Sequence, residues 1–286
     1  MKDAAVFVLL GQSNAVGHAL PMAKKDIIDV PLERVYGLEA KENQSFSGDF
    51  LVFKNFVSAG MNLGETQDNT YSVSNCMAKL WDKRQKNGEN IPDLYVIQIA
   101  IGAQGITKKF MWYPDRAKKL IPGELGKADI SLYPLTIHII KLLGKWLKEG
   151  DREVVGIHWI GGENDVEAAD DELCELGSLY GRMLNDFENE LFDAPVVFHK
   201  IVCKDRMSDL DKSGKFLENM NFINSTFEKL EKKYKNVTVF DPTKAPYYKK
   251  DVRGNGIFGD DVVHFTKEMN FWKAEQIIEE YLGRGK

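Results

Sequence analysis

Two short segments far apart in the sequence contain the residue types of a serine nucleophile and its base. GQSNAVG occupies residues 11–17, directly after an apolar run at residues 4–10, and DVVH occupies residues 261–264. A serine at the tip of a buried strand is rigid but exposed. A histidine three residues after an aspartate can be anchored through one ring nitrogen while the other accepts a proton. We therefore interpret Ser13, His264 and Asp261 as a candidate nucleophile, base and orienting carboxylate.

The two segments, in this order along one chain, resemble the SGNH hydrolase superfamily. GQSNxxG together with DxxH resembles the sialate O-acetylesterase-like branch, which includes the acetylxylan esterases of the carbohydrate esterase family 6 type. The resemblance implies a serine esterase that removes O-acetyl groups from a carbohydrate through an acyl-enzyme intermediate. It also selects Asp261 over its neighbour Asp260 as the triad carboxylate. The alternative interpretation is that Ser13 is an ordinary turn residue and that Asp261 merely precedes a helix.

Acyl transfer requires hydrogen-bond donors directed at the oxyanion that develops on the carbonyl oxygen. Ser13 supplies its own backbone N–H. A second donor is expected at Gly102, where an apolar run at residues 93–101 leads into the sequence GAQG. Glycine allows the backbone to approach a ligand closely. The family usually has Gly-Gly-Thr here, so Ala103 and Gln104 depart from its pattern, and the oxyanion hole requires that the turn be preserved.

A third donor is expected in the sequence WIGGEND at residues 159–165. Resembling branches read W-x-Q-G-E-S-D, whereas the wider superfamily reads G-x-N-D with the asparagine amide in the oxyanion hole. This chain has Gly161 in place of the glutamine, and we expect Asn164 to supply the amide instead. Asp165 is predicted to cap a helix that begins at Val166. That role is favoured over a glycosidase-like pairing of Asp165 with Glu163.

Several residues near these motifs are candidates for contact with substrate. Gln12, Asn14 and Glu163 belong to the motifs themselves. Trp112 and Tyr113 follow the turn at residue 102, and their flat faces suit the apolar faces of sugar rings. In the alternative interpretation, this loop packs Trp112 and Tyr113 onto its own core.

Two other patterns are weaker. The sequence GNGIFG at residues 254–259 matches GxGxxG, but no strand leads directly into it and no helix opens from it, so a dinucleotide site is not expected. The remaining histidines, His18, His138, His158 and His199, lack the spacing of metal ligands. Most are predicted to be structural, with His18 a further candidate for substrate contact.

Apolar runs and helical periodicity alternate along the chain, which favours a parallel sheet covered by helices on both faces. Strands are predicted at residues 4–10, 93–101, 154–160, 196–202 and 237–240, and helices at residues 72–85, 135–148, 166–191, 216–234 and 267–282. Thr266 is expected to cap the last helix. The predicted fold is α/β, a three-layer α/β/α sandwich with a five-stranded parallel sheet in flavodoxin-like order, forming one SGNH-type domain over residues 1–286. The long irregular stretches 20–68 and 106–133 are expected to wall the site.

Composition narrows the possible partners. A net charge of -5 and scattered lysine pairs give no electrostatic footprint for nucleic acid. Three widely spaced cysteines indicate reduced thiols rather than a zinc site. No run has the length of a membrane span, and the first strand leaves no room for a signal peptide, so the chain is expected to be cytoplasmic unless a leader has been removed.

The expected partner is therefore an acetylated carbohydrate, with no metal ion or organic cofactor required. One alternative function is a lipase-like or thioesterase-like hydrolysis of longer acyl esters. Another is a non-catalytic, flavodoxin-like module that binds sugar or phosphate through residues 11–17.

Overall fold

The apolar runs of the sequence form the strands of one sheet. The computed structural model describes residues 2–18, 20–40, 50–64, 69–116, 131–203, 213–246 and 263–283. Within these ranges the sheet has seven strands: β1 (Ala4–Gly11), β2 (Val35–Gly37), β3 (Lys54–Asn55), β4 (Asp93–Ala100), β5 (Arg152–Ile160), β6 (Val196–His199) and β7 (Val237–Phe240).

The strand order is β3-β2-β4-β1-β5-β6-β7, and all neighbours are parallel except β2 and β3. The five strands expected from the sequence follow the order β4-β1-β5-β6-β7, which is the flavodoxin-like order 2-1-3-4-5. The expected count of five is not confirmed, because β2 and β3 extend the sheet beyond β4. Both lie within the stretch 20–68, which the sequence analysis treated as irregular.

Helices cover the sheet: α1 (Ser13–Val16), α2 (Val73–Lys86), α3 (Leu132–Leu147), α4 (Asp170–Glu190), α5 (Lys215–Lys233) and α6 (Lys267–Gly283). Thr266 caps α6 as expected, since its Oγ1 accepts a hydrogen bond from the Met269 N–H at 3.3 Å. The predicted start of α4 at Val166 is wrong. A short 3-10 turn, Glu163–Glu167, precedes α4 there. None of the helices in the described ranges is long and apolar enough to cross a membrane.

Strand β1 is buried on both of its faces, which explains its continuous apolar sequence. Val8 and Leu10 belong to a core cluster shared with α3, α4 and α5. Phe7 and Leu9 point the other way, into a cluster shared with α2 and α6. The alternation produces the predicted helix–sheet–helix layers and places β1 at the centre of the molecule.

Candidate active site

Three turns leave the sheet from the same level. Gly11, the last residue of β1, pairs with Ala100 at the end of β4 and with Ile160 at the end of β5. Ser13 lies two residues beyond the end of β1 at this level, and Gly102 lies two residues beyond Ala100. Gly162, which opens the turn after β5, lies two residues beyond Ile160. Because parallel strands end at a common edge, the three sequence blocks predicted to form the site meet there.

The turn that carries Ser13 depends on a close approach between β1 and β5. Gly11 has φ +142°, and a Cβ atom at this position would lie 1.9 Å from the Ile160 carbonyl oxygen. Only glycine fits such an approach. The Gln12 carbonyl then accepts hydrogen bonds from the N–H groups of Ala15 and Val16 at 2.8 and 3.1 Å. This closes α1 with Ser13 as its first residue.

The side chain of Asn14 connects this turn to the segment that carries His264. Its Nδ2 donates to Glu163 Oε1 at 2.7 Å and to the Val263 carbonyl at 3.0 Å. Its Oδ1 accepts a hydrogen bond from the Phe265 N–H at 3.1 Å. Asn14 thus contacts the backbone on both sides of His264, across a separation of 249 residues to Val263.

A second histidine lies against His264. The ring centroids of His18 and His264 are 5.1 Å apart with an interplanar angle of 38°. The backbone N–H of His18 also donates a hydrogen bond to the Ser13 carbonyl at 3.0 Å. His18 therefore lies at the candidate site, although its distance in sequence from the DxxH motif at residues 261–264 gave only a weak signal. The expected triad carboxylate Asp261, its neighbour Asp260 and the loop 254–259 lie outside the described residues, so their roles stay predictions.

The loop after β4 keeps a tight turn although its sequence departs from the family's. Ala103 has φ +57°, the left-handed conformation that glycine adopts readily and that costs other residues about 1–2 kcal/mol. Gln104 accepts a hydrogen bond from the Met111 N–H through its Oε1 at 3.0 Å. The side chain at position 104 therefore ties the turn to the following loop.

Asp165 fastens this loop to the turn after β5. Its buried carboxylate accepts hydrogen bonds at 3.0 Å from the Ile106 N–H, the Thr107 N–H and the Thr107 hydroxyl. A Cβ atom on Gly105 would lie 2.3 Å from the Asp165 Oδ1. Burial raises the pKa of the Asp165 carboxyl to about 6, and the hydrogen bonds act in the opposite direction. The predicted capping role is wrong, because the carboxylate points toward the β4 loop and α4 begins at Asp170.

Asn164 lies next to Asp165 in the 3-10 turn and is half-buried. Gly162, which opens this turn, has φ +117°. Within the described ranges, the Asn164 amide makes no hydrogen bond to another residue. With respect to that part of the chain, its donors are therefore uncommitted at the edge of the sheet where Ser13 lies.

Comparison with known proteins bears on the fold. No protein-family model matches the sequence, and no curated protein does either. Among solved structures, NanS superposes with a TM-score of 0.67 over 100% of this chain and 99% of NanS, at 14% sequence identity. XAC1771, described as a carbohydrate acetylesterase from Xanthomonas citri, superposes with a TM-score of 0.50 at 13% identity. The match covers 96% of this chain and 56% of XAC1771.

The chain has the SGNH hydrolase fold. In this SGNH fold, the carboxyl ends of β1, β4 and β5 carry the turns with Ser13, Gly102 and Asn164, and the segment before α6 carries His264.

Burial in the SGNH fold corrects two of the predicted substrate contacts, those of Gln12 and Asn14, whereas the contact of the half-buried Glu163 stays a prediction. Gln12 is only 1% exposed, and Asn14 is 3% exposed with both amide hydrogens engaged. One carboxylate oxygen of Glu163 accepts from Asn14, and the other is buried without a partner in the described part of the chain. These motif residues hold the turns together, and neither donor of Asn14 is left for a substrate.

Trp112 is also not the sugar platform expected from the sequence. The side chain has no exposed area, and its Nε1–H donates to the Gly11 carbonyl at 3.0 Å. Its ring packs edge-on against Trp159 with centroids 4.9 Å apart. The prediction for Trp112 is wrong because the ring lies in the core beneath the Ser13 turn. Tyr113 is half-buried, and its proposed sugar contact stays a prediction.

Charged and titratable groups are buried behind the site. The fully buried Lys273 has its Nζ 4.2 Å from the Phe265 ring centroid and makes no hydrogen bond within the described ranges. Burial lowers the pKa of Lys273 to about 7, and attraction to Glu163 opposes this shift. Burial also lowers the pKa of His199, whose Nε2 lies 3.1 Å from the Nδ1 of His158.

Proposed function

We propose that this protein is a serine esterase that removes O-acetyl groups from a carbohydrate. The observation that carries the proposal is the contact of the Asn14 side chain with the backbone on both sides of His264, since it brings a candidate base to the turn of a candidate nucleophile. The SGNH fold supports it further, because solved proteins with this fold include one described as a carbohydrate acetylesterase.

In the proposed reaction, the Ser13 Oγ attacks the acetyl carbonyl carbon while His264 takes the hydroxyl proton and Asp261 orients the imidazole. N–H groups of Ser13 and Gly102 and the amide of Asn164 stabilise the oxyanion. The tetrahedral intermediate collapses as His264 returns the proton to the departing sugar oxygen. Water, deprotonated by His264, then attacks acetyl-Ser13, and the second tetrahedral intermediate releases acetate as His264 returns the proton to the Ser13 Oγ.

The backbone donors have a structural basis. Ser13 opens α1, and the first N–H groups of a helix have no acceptor within the helix. Gly102 lies at the same level of the sheet edge as Ser13, and the left-handed Ala103 directly follows it. For sugar contact, the buried Gln12 and Trp112 are replaced as candidates by the half-buried Tyr113 and His18.

The first test is chemical labelling of the nucleophile. A fluorophosphonate probe should label the wild-type protein and fail to label Ser13→Ala. Ser13→Ala and His264→Ala should each lower kcat for 4-nitrophenyl acetate by about 10⁴-fold or more, because the members of a triad act as one unit. A Ser13→Ala protein that keeps its hydrolytic rate, purified free of host esterases, would refute the assignment.

Further arms test the carboxylate and the acyl group. Asp261→Asn should be nearly as damaging as His264→Ala, with Asp260→Asn as the matched mild control. Activity should fall steeply from acetyl to longer acyl chains in a series of 4-nitrophenyl esters, and acetate should be released from acetylated oligosaccharides or sialic acids. A preference for long chains would favour a lipase-like function instead.

A further inference from the structure

Both halves of the candidate site converge on one buried amide, that of Asn14. We propose that Asn14 and Glu163 are positioning residues that fix the backbone around His264, rather than residues that contact substrate. This inference rests on the proposed function, because it assigns His264 the role of base.

The hydrogen bonds of Asn14 define its orientation completely. The Nδ2 group has two hydrogens, and they are directed at the Val263 carbonyl and at Glu163 Oε1. The Oδ1 atom accepts from the Phe265 N–H, which a rotated amide could not do. The partners therefore settle which atom is nitrogen and which is oxygen.

The hydrogen bonds of Asn14 to residues 263 and 265 fix the direction in which the His264 side chain leaves the backbone. Val263 is held through its carbonyl and Phe265 through its N–H, so the two peptide groups that flank the α-carbon of His264 are both anchored to the Ser13 turn. A misplacement of a catalytic group by about 1 Å can cost about 10²-fold in rate. A side chain adjacent to Ser13 is thus well situated to control the register between nucleophile and base.

Glu163 orients the amide from the opposite side. It begins the 3-10 turn after β5, next to the proposed oxyanion donor Asn164. Its carboxylate accepts from Asn14 at 2.7 Å, and attraction to Glu163 favours the charged form of the buried Lys273. A charged acceptor makes a stronger hydrogen bond than a neutral one. The amide therefore links the turns after β1 and β5 with the segment before α6.

The decisive experiment compares Asn14→Ala with Asn236→Ala. Asn236 is a matched control at the opposite end of the sheet, where its Nδ2 also donates to a backbone carbonyl, that of Ala194, and to a carboxylate, that of Glu188. We expect Asn14→Ala to lower kcat for 4-nitrophenyl acetate by about 10- to 100-fold with KM nearly unchanged. Asn236→Ala should lose thermal stability to a similar extent and keep kcat.

A second pair of variants tests the link through Glu163 and remains informative if Asn14→Ala does not fold. Glu163→Ala removes the acceptor of the Asn14 amide, whereas Glu163→Gln keeps an oxygen that can accept. We expect kcat to fall in Glu163→Ala and to recover in Glu163→Gln, and the rate of fluorophosphonate labelling of Ser13 to follow kcat in both.

The outcomes separate this inference from the function on which it rests. If Ser13→Ala retains wild-type activity, the proposed esterase function fails. If Ser13→Ala is inactive while folded Asn14→Ala and Glu163→Ala keep wild-type kcat, the function stands and the positioning role is refuted. An increase in KM for acetylated oligosaccharide alone would restore the substrate-contact role to these residues.

Discussion

At the scale of single residues, the site is supported by side chains that touch no substrate in the proposed reaction. Trp112 is the clearest case, because its indole N–H binds the carbonyl of Gly11 and its ring fills the core beneath the Ser13 turn. An aromatic residue in a loop near a candidate sugar site suggests a platform. Its complete burial gives it a different role, which is to hold the end of β1.

Trp112→Phe should therefore impair every substrate alike. The substitution keeps an aromatic ring but removes one N–H donor from the Gly11 carbonyl, to which the Ile101 N–H also donates at 3.4 Å, and loss of one such hydrogen bond costs about 0.5–1.5 kcal/mol of unfolding free energy. We expect a lower Tm and a similar fractional loss of kcat/KM on 4-nitrophenyl acetate and on acetylated oligosaccharide. Tyr113→Ala is the control, since a sugar contact there would raise KM for the oligosaccharide alone. A substrate-selective loss in Trp112→Phe would contradict the structural role.

At the scale of secondary-structure elements, two turns that leave adjacent regions of the sheet stabilise each other. The buried carboxylate of Asp165 replaces the missing backbone partners of residues 106 and 107. This arrangement fixes the loop that begins at Gly102 relative to the turn that carries Asn164. The positions of the proposed oxyanion donors thus depend on one buried carboxylate.

Asp165→Asn should lower kcat with little change in KM for 4-nitrophenyl acetate. The asparagine presents an N–H₂ group toward N–H donors, so part of the loop loses its acceptor and the Gly102 N–H is displaced. Loss of one oxyanion donor costs about 10²- to 10³-fold in kcat. Asp170→Asn, at an exposed acidic position in the first turn of α4, is the control and should leave kcat unchanged. A folded Asp165→Asn protein with wild-type kcat would show that the loop holds its shape unaided.

The sequence predicted the elements that are long and apolar, and it failed where partners are distant. The run at residues 4–10 is recognisable because β1 is buried on both faces, and Thr266 is a local capping signal. Strands of two or three residues, such as β2 and β3, have no periodicity to detect. The partners of Asp165 lie 58 and 59 residues away, and local spacing carries no information about such contacts.

At the scale of the whole molecule, a lysine of α6, Lys273, is fully buried against the sheet. Lys273 faces the Phe265 ring and interacts electrostatically with Glu163, Cys76 and His199. Its pKa is about 7 in the folded chain, below its ordinary value of 10.5. Between these values the unfolded chain binds a proton that the folded chain lacks. This group therefore makes the free energy of unfolding rise with pH over that interval, by at most about 1.4 kcal/mol per unit.

Lys273→Met should stabilise the fold by about 1–4 kcal/mol below pH 7, because an apolar side chain of similar length replaces a buried charge. The rise in stability between pH 7 and pH 10 should become shallower than in the wild type. Urea denaturation at several pH values measures both effects. Lys267→Met is the control. It should lower the free energy of unfolding, because Lys267 forms an ion pair with Asp26 at 2.7 Å. An unchanged pH slope in Lys273→Met would mean that Lys273 does not titrate in this range.

The hydrogen bonds of Asn14 also have a consequence for the order in which the molecule folds. They join residues separated by 249 and 251 positions, so they close a loop that includes nearly every other element. The chain must lose the entropy of closing this long loop before such contacts contribute stability, and contacts of this range therefore slow folding. The sheet around β1 can form from strands closer in sequence, whereas docking of the segment before α6 completes the site. A refolding chain would thus acquire its secondary structure before the candidate nucleophile Ser13 meets the candidate base His264.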